Sequence, residues 1–176
     1  ESFTNVSMSG GASYKLSDDS LVGVTFHRSE RAPNAEELFS NGPHLATQVF
    51  ELGDITLGKE VATGGEITYR YKSDDFSSSV TLFTNSFDDY IYLNFTGAEE
   101  DELPVAQFSA TDARFWGVEA EFLTQVYSSE NLNISLDAIF DFVKAKDTIS
   151  DTPLPRTPPL SVTVGAEADW DNYNLR

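Results

Sequence analysis

The chain's two histidines, His27 and His44, fall in or beside one stretch, residues 28–59, that also carries Glu30, Arg31, Glu36 and Glu37. Imidazole with carboxylate is a donor set that transition-metal ions accept. His44, in Asn41-Gly42-Pro43-His44-Leu45, is the first candidate metal ligand. Its plain alternative is a histidine hydrogen-bonded within an ordered loop. His27, close in sequence to Glu30, Glu36 and Glu37, either joins such a site or is a structural histidine. Glu30 and Arg31 complete the set of candidate ligand contacts. Arg31, Pro33 and the Glu36-Glu37 pair also suit an ion-paired loop base with a capped helical turn at 34–39. Glu99-Glu100-Asp101-Glu102 could gather hard cations, but it lacks the spacing and glycine of a calcium loop and reads as a solvated charge run.

Other chemistries have little support. There is no cysteine, so disulfides and thiolate metal sites are excluded. Gly-x-Ser-x-Gly, phosphate-cradling and His-Glu-x-x-His patterns are lacking, and His27 with Ser29 is too thin a basis for catalysis, so no enzyme is expected. Eleven Lys and Arg against 29 Asp and Glu give a formal charge of −18. Phosphates would be repelled, which argues against nucleic acid and against anionic membrane surfaces as partners.

The elements that must hold these residues are strands. Val6, Met8, Gly10, Ala12, Tyr14 and Leu16 alternate with polar neighbours, as do Val22, Val24 and Phe26, and then Ile67, Tyr69 and Tyr71. A long segment at 76–95 alternates less cleanly and breaks near Asp88-Asp89. Trp116 to Phe122, Leu132 to Phe142 and Leu160 to Trp170 alternate again. The expectation is about seven strands, most near the ~9–11 residues that cross a bilayer at a tilt. The ending Asp171 to Arg176 reads as a turn and the start of another strand.

Connections alternate between short and long. Tight Asp-, Asn- and Ser-rich turns at 17–20, 73–75 and 128–131 contrast with long connections at 28–59, 96–106 and 147–158. Loop lengths segregated to the two ends are the pattern of an antiparallel, up-and-down transmembrane β-barrel with short periplasmic turns and long extracellular loops. The rival is a soluble β-sandwich acting in binding or adhesion, which shares the alternation but not the segregation. Seven strands are too few to enclose a wide lumen, so the all-β chain is expected to be a section of a larger barrel. Tyr90, Tyr92, Phe95, Phe115 and Trp116, near predicted strand ends, fit an aromatic girdle.

The stretch His27-Arg28-Ser29-Glu30-Arg31-Ala32-Pro33-Asn34-Ala35-Glu36-Glu37-Leu38-Phe39 resembles the Phe-Arg-Ala-Pro box of TonB-dependent outer-membrane receptors. Gly53-Asp54-Ile55-Thr56-Leu57-Gly58-Lys59-Glu60 is similar to that family's second element. Phe87 to Leu93, Arg114 to Glu121 and Leu154 to Leu160 resemble three further stretches in the family's order. Glu30 stands where the box has an aromatic, and Gly-Asp-Ile-Thr where it has Asn-Pro. The resemblance implies that residues 1–176 are a partial barrel domain, from the later half of a barrel of about 22 strands, with the plug domain absent. It further implies the outer membrane of a Gram-negative bacterium, with lipid, a plug domain, the TonB system and a nutrient as partners. The function implied is energy-coupled uptake of a ferric siderophore, haem, a metal ion such as zinc, or cobalamin. The box region is nearest in wording to zinc- and haem-type receptors. In haem-binding members a histidine between the two boxes can be an axial ligand, the role that falls to His44 here.

Overall fold

Alternating sequence becomes one sheet, antiparallel except where residues 50–52 join 105–107, in the computed structural model, which describes residues 2–176. The strands are β1 (Met8–Lys15), β2 (Ser20–Arg31), β3 (Asn41–His44), β4 (Val49–Leu52), β5 (Glu60–Lys72), β6 (Phe76–Glu100), β7 (Leu103–Ser128), β8 (Leu132–Asp147), β9 (Ser161–Trp170) and β10 (Tyr173–Leu175). One short helix, α1 (Ala35–Phe39), follows β2. The order across the sheet is β1-β2-β5-β6-β7-β8-β9-β10, with β3 and β4 attached to one side. The seven strands expected from periodicity are β1, β2 and β5 to β9. The β3/β4 pair is additional, and the short β10 is the strand start expected after the turn at 171–172. The sheet does not close on itself within this chain.

Register shows why the sequence alternates. Val24, Ile67, Leu82, Val118 and Phe142 are successive cross-strand neighbours. The row beside them is Val22, Tyr69, Val80, Ala120, Phe140 and Val162. On the other face, Gly23, Thr68, Thr81, Glu119, Asp141 and Ser161 line up in the same way. No second sheet covers the apolar face among the described residues, and Leu82 and Val164 there are 56% and 76% exposed. A soluble sandwich would bury this face against its partner sheet. A barrel wall turns it to lipid and keeps the carboxylates inside. On the polar face the Phe83 ring lies over Gly117, where a Cβ would meet the ring at 2.6 Å.

The short turns join strands at one end, closed by backbone bonds such as Ser73 N–H to Phe76 O (2.8 Å) and Ser129 N–H to Leu132 O (2.9 Å). At the other end β6 and β7 run on together far beyond their neighbours. Residues 96–106, expected as a loop, belong largely to this extended hairpin, with Glu99 opposite Pro104 and Glu100 opposite Leu103. The chain reverses in Asp101-Glu102, both left-handed (φ 52° and 63°), the backbone of a type I′ turn whose usual Asn-Gly is missing. That unusual residue choice hides the hairpin from a sequence reading. The break near Asp88-Asp89 is a β-bulge, with Asp89 at φ 54°.

The aromatic girdle needs a correction. Phe115 shares the inward face with Ala145 and Asn85, not the lipid face. Its ring packs at 5.2 Å from both Phe87 and Tyr90, over a core of Ala113, Ala145 and Leu154. Tyr90 and Tyr92 join this cluster. Trp116, one residue on, does face outward.

Candidate functional site

The segment between β2 and β5 is an ordered clasp built on Arg31, the last residue of β2. Arg31 lies opposite Glu60, the first residue of β5. Its Nε and Nη2 donate to the Glu60 carboxylate at 3.2 and 2.9 Å. Its Nη1 donates to both oxygens of Glu37 at 2.9 and 2.8 Å. Glu60 also accepts the buried amide of Ile91 (2.9 Å), which ties the clasp to β6. Glu37 and Glu60 are almost fully buried, at 8% and 9% exposure. Buried carboxylates persist when paired and hydrogen-bonded, as these are.

Glu37 works twice. Asn34 caps α1 by accepting the Glu37 amide (2.8 Å), while the Glu37 side chain accepts the Asn34 amide (2.7 Å). This reciprocal pair is a capping box, and it holds a five-residue helix too short to persist alone. The end of α1 then receives the second sequence element, Gly53-Asp54. Gly53 N–H donates to Ser40 O (2.7 Å) and Asp54 N–H to Glu37 O (2.8 Å). A Cβ on Gly53 would lie 2.5 Å from the Leu38 carbonyl carbon and 2.6 Å from the Phe39 nitrogen. We expect Gly53→Ala to destabilise the clasp by about 1–3 kcal/mol, the range for overpacking against unyielding atoms. Faster amide exchange at Gly53 and Asp54, with the β2/β5 ladder unchanged, is the check. The Thr56 hydroxyl and amide, donating to Asp54 at 2.6 and 2.8 Å, hold its carboxyl below the ordinary range.

Between these fixed points β3 and β4 form a small hairpin, turned through residues 45–48 with Gln48 left-handed (φ 52°). β4 docks in parallel on the extension of β7, pairing Phe50 with Val105, Glu51 with Ala106 and Leu52 with Gln107. Val49, Leu93 and the completely buried Ala106 form the core of this junction, with Phe108 against it. A hydrophobic seat therefore presents the hairpin in one orientation.

His44 ends β3, and its Nδ1 lies 2.9 Å from Glu51 Oε1. Thr47 Oγ1 donates to the same oxygen (3.3 Å). The His44 side chain is 53% exposed while Glu51 is nearly covered. With Nδ1 engaged, Nε2 is the nitrogen left for an incoming group, the arrangement by which a carboxylate orients a metal-binding imidazole. No group of three metal-ligating side chains occurs among the described residues. His44 and Glu51 thus stand as a pair.

The other sequence candidates lie elsewhere. His27 sits within β2, between Ser9 and Gly64 on the face opposite Phe26. Glu30 accepts from Lys59 Nζ (2.6 Å) and the Val6 amide (3.2 Å), with Arg28 at 3.3 Å. Arg31 and Glu30 are thus engaged within the protein, and the structure does not bring them to His44. Glu51 was missed by sequence reasoning. Nothing local marks it, because its link to His44 exists only once the hairpin closes.

Comparison with known proteins follows the same outline. The family model described as "TonB dependent receptor-like, beta-barrel" matches residues 1–176. Among solved structures, the copper transporter OprC is similar with a TM-score of 0.74 and 20% identity, over 92% of this chain and 24% of OprC. The siderophore receptor PirA from Pseudomonas aeruginosa is similar with a TM-score of 0.59 and 21% identity, over 95% of this chain and 28% of PirA. The FrpB iron transporter from Neisseria meningitidis gives 0.57 and 16%, over 96% of this chain and 25% of FrpB. The chain spans about a quarter of the length of these proteins.

Proposed function

Because the chain belongs to the TonB-dependent receptors, as a section of their outer-membrane β-barrel, we propose that the whole protein imports a scarce metal nutrient and that the clasp helps capture it. In that reading residues 1–176 are a partial barrel domain, a plug domain gates the lumen, and the TonB system supplies the energy.

The observation that carries the proposal is the His44–Glu51 pair, mounted on a hairpin seated in an apolar core and half-open to solvent. An imidazole with one nitrogen anchored by a carboxylate is a preoriented donor for zinc, copper or iron. Remaining ligands come from other outward loops or from the cargo itself. Charge supports a cationic or neutral metal species. The inward face of this wall carries Glu66, Glu119, Glu121, Asp137, Asp141 and Glu167 along neighbouring strands. A lumen so lined attracts metal cations and repels anionic complexes.

The test uses the full-length receptor in detergent, titrated calorimetrically with zinc(II) and copper(II) salts. His44→Ala is expected to weaken binding of at least one ion by about tenfold or more, the scale of losing an oriented ligand or its partner. Affinities unchanged for both ions would remove the ligand role from His44.

A further inference from the structure

We infer that the apolar face carries a site for a phosphate-bearing lipid of the surrounding leaflet, with its headgroup on Arg114, Lys144 and Lys146 and an acyl chain in the groove below them. This site is independent of the cargo.

The register places these three cations together. Arg114 on β7 lies opposite Lys146 on β8, and Trp116 opposite Lys144, all on the face that carries Val118, Ala120 and Phe140. Like charges on adjacent strands oppose sheet formation unless an anion joins them. Lys146 pairs with Asp151. Arg114 and Lys144, both exposed, make no ion pair among the described residues. In a chain with 29 acidic and 11 basic residues, this gathering of cations on the lipid face stands against the overall charge. The other charges near it on this face are Arg28, in the same cross-strand row, Glu30, neutralised by Lys59 and Arg28, the Asp151 partner of Lys146, and two carboxylates, Asp88 and Asp112, beside Ser86 and Arg114.

Below Arg114 the apolar face is hollow. One cross-strand row reads Phe26, Gly65, Thr84, Trp116, so two small residues lie between two large aromatic ones. The resulting groove, of about 460 Å³, runs from Arg114 past Thr84 and Gly65 to Val24, Ile67 and Leu82. Its floor is aliphatic and its mouth is cationic, which is the polarity of an amphiphile with an anionic head. Arg114 offers the planar fork that binds phosphate oxygens two at a time, and the Ser86 side chain lies on the next strand in the same row. Trp116 beside them suits the boundary between hydrocarbon and headgroups. The groove lies on β2, β5, β6 and β7, inside the sheet rather than at its edges.

Native mass spectrometry of the full-length receptor in dodecyl maltoside, with equal dioleoyl phosphatidic acid and dioleoyl phosphatidylcholine, tests the assignment. The unaltered receptor should retain the phosphatidic acid preferentially. Arg114→Gln and Lys144→Gln should each weaken that binding about fivefold, the scale for one basic residue at a charged membrane surface. Thr84→Phe, which fills the groove, should weaken both lipids. Equal retention of the two lipids by the unaltered receptor overturns the proposal, as does full retention of phosphatidic acid by the folded Arg114→Gln, Lys144→Gln double variant.

Discussion

Replacing Arg31 with Met should unfasten residues 32–59 while leaving the strands beneath them paired. One guanidinium makes four hydrogen bonds to two carboxylates that are otherwise almost buried. Without it, Glu37 and Glu60 must take up water or a proton, and breaking such a pair from one side costs about 3–5 kcal/mol. The Arg31 side chain is itself 42% exposed, so solvent reaches the gap and the loss belongs toward the lower end of that range. Arg31→Lys should fail nearly as badly, since a single ammonium cannot reproduce the two-nitrogen fork to Glu60 and the Nη1 contact to Glu37 together. The measurement is hydrogen exchange at Gly53, Asp54 and Ile91, whose amides are bonded only while the clasp is closed. Protection unchanged in Arg31→Met would show that the hydrophobic seat alone holds the segment.

The second large effect separates the two faces of the sheet. Leu82→Arg is expected to cost the full-length receptor about 2–4 kcal/mol, the scale for a cation facing lipid near the bilayer middle. Thr81→Arg, one residue away on the polar face, should be close to neutral, since acidic neighbours such as Glu119 oppose it directly. Unfolding in lipid or detergent, followed by heat-dependent gel mobility, gives the comparison. Equal losses in both variants would contradict the assignment of faces.

Much of this architecture is visible in the sequence because a barrel strand must alternate throughout its membrane passage. Leu132 to Phe142 shows its two faces without ambiguity, and its partners follow by simple antiparallel neighbour pairing. What lies outside the membrane is less visible. β3 and β4 have four residues each, too few for a periodic signal, and β4 owes its strand character to the β7 edge it joins. The β6/β7 extension is masked by Glu99 to Glu102, whose charges read as loop although Glu99 and Glu100 are paired and only Asp101-Glu102 turn. The capping box could be read locally, with Asn34 and Glu37 three positions apart. Glu60 and Glu51 could not, because their partners arrive from distant chain. Phe115 misled for another reason. An aromatic near a strand end suits either face, and only register decides between them.

The clasp also imposes an order of events. Phe50 pairs with Val105, and Glu60 needs the Ile91 amide, so a segment that leaves β2 cannot settle until β6 and β7 have formed. Contacts this distant along the chain are slow to form, because the intervening loop must be closed first. Until then Val49 and Phe50 have no seat. Pairing of β6 with β7 and closure of the clasp are therefore successive stages, and the β3/β4 hairpin is the last part of this segment to be fixed.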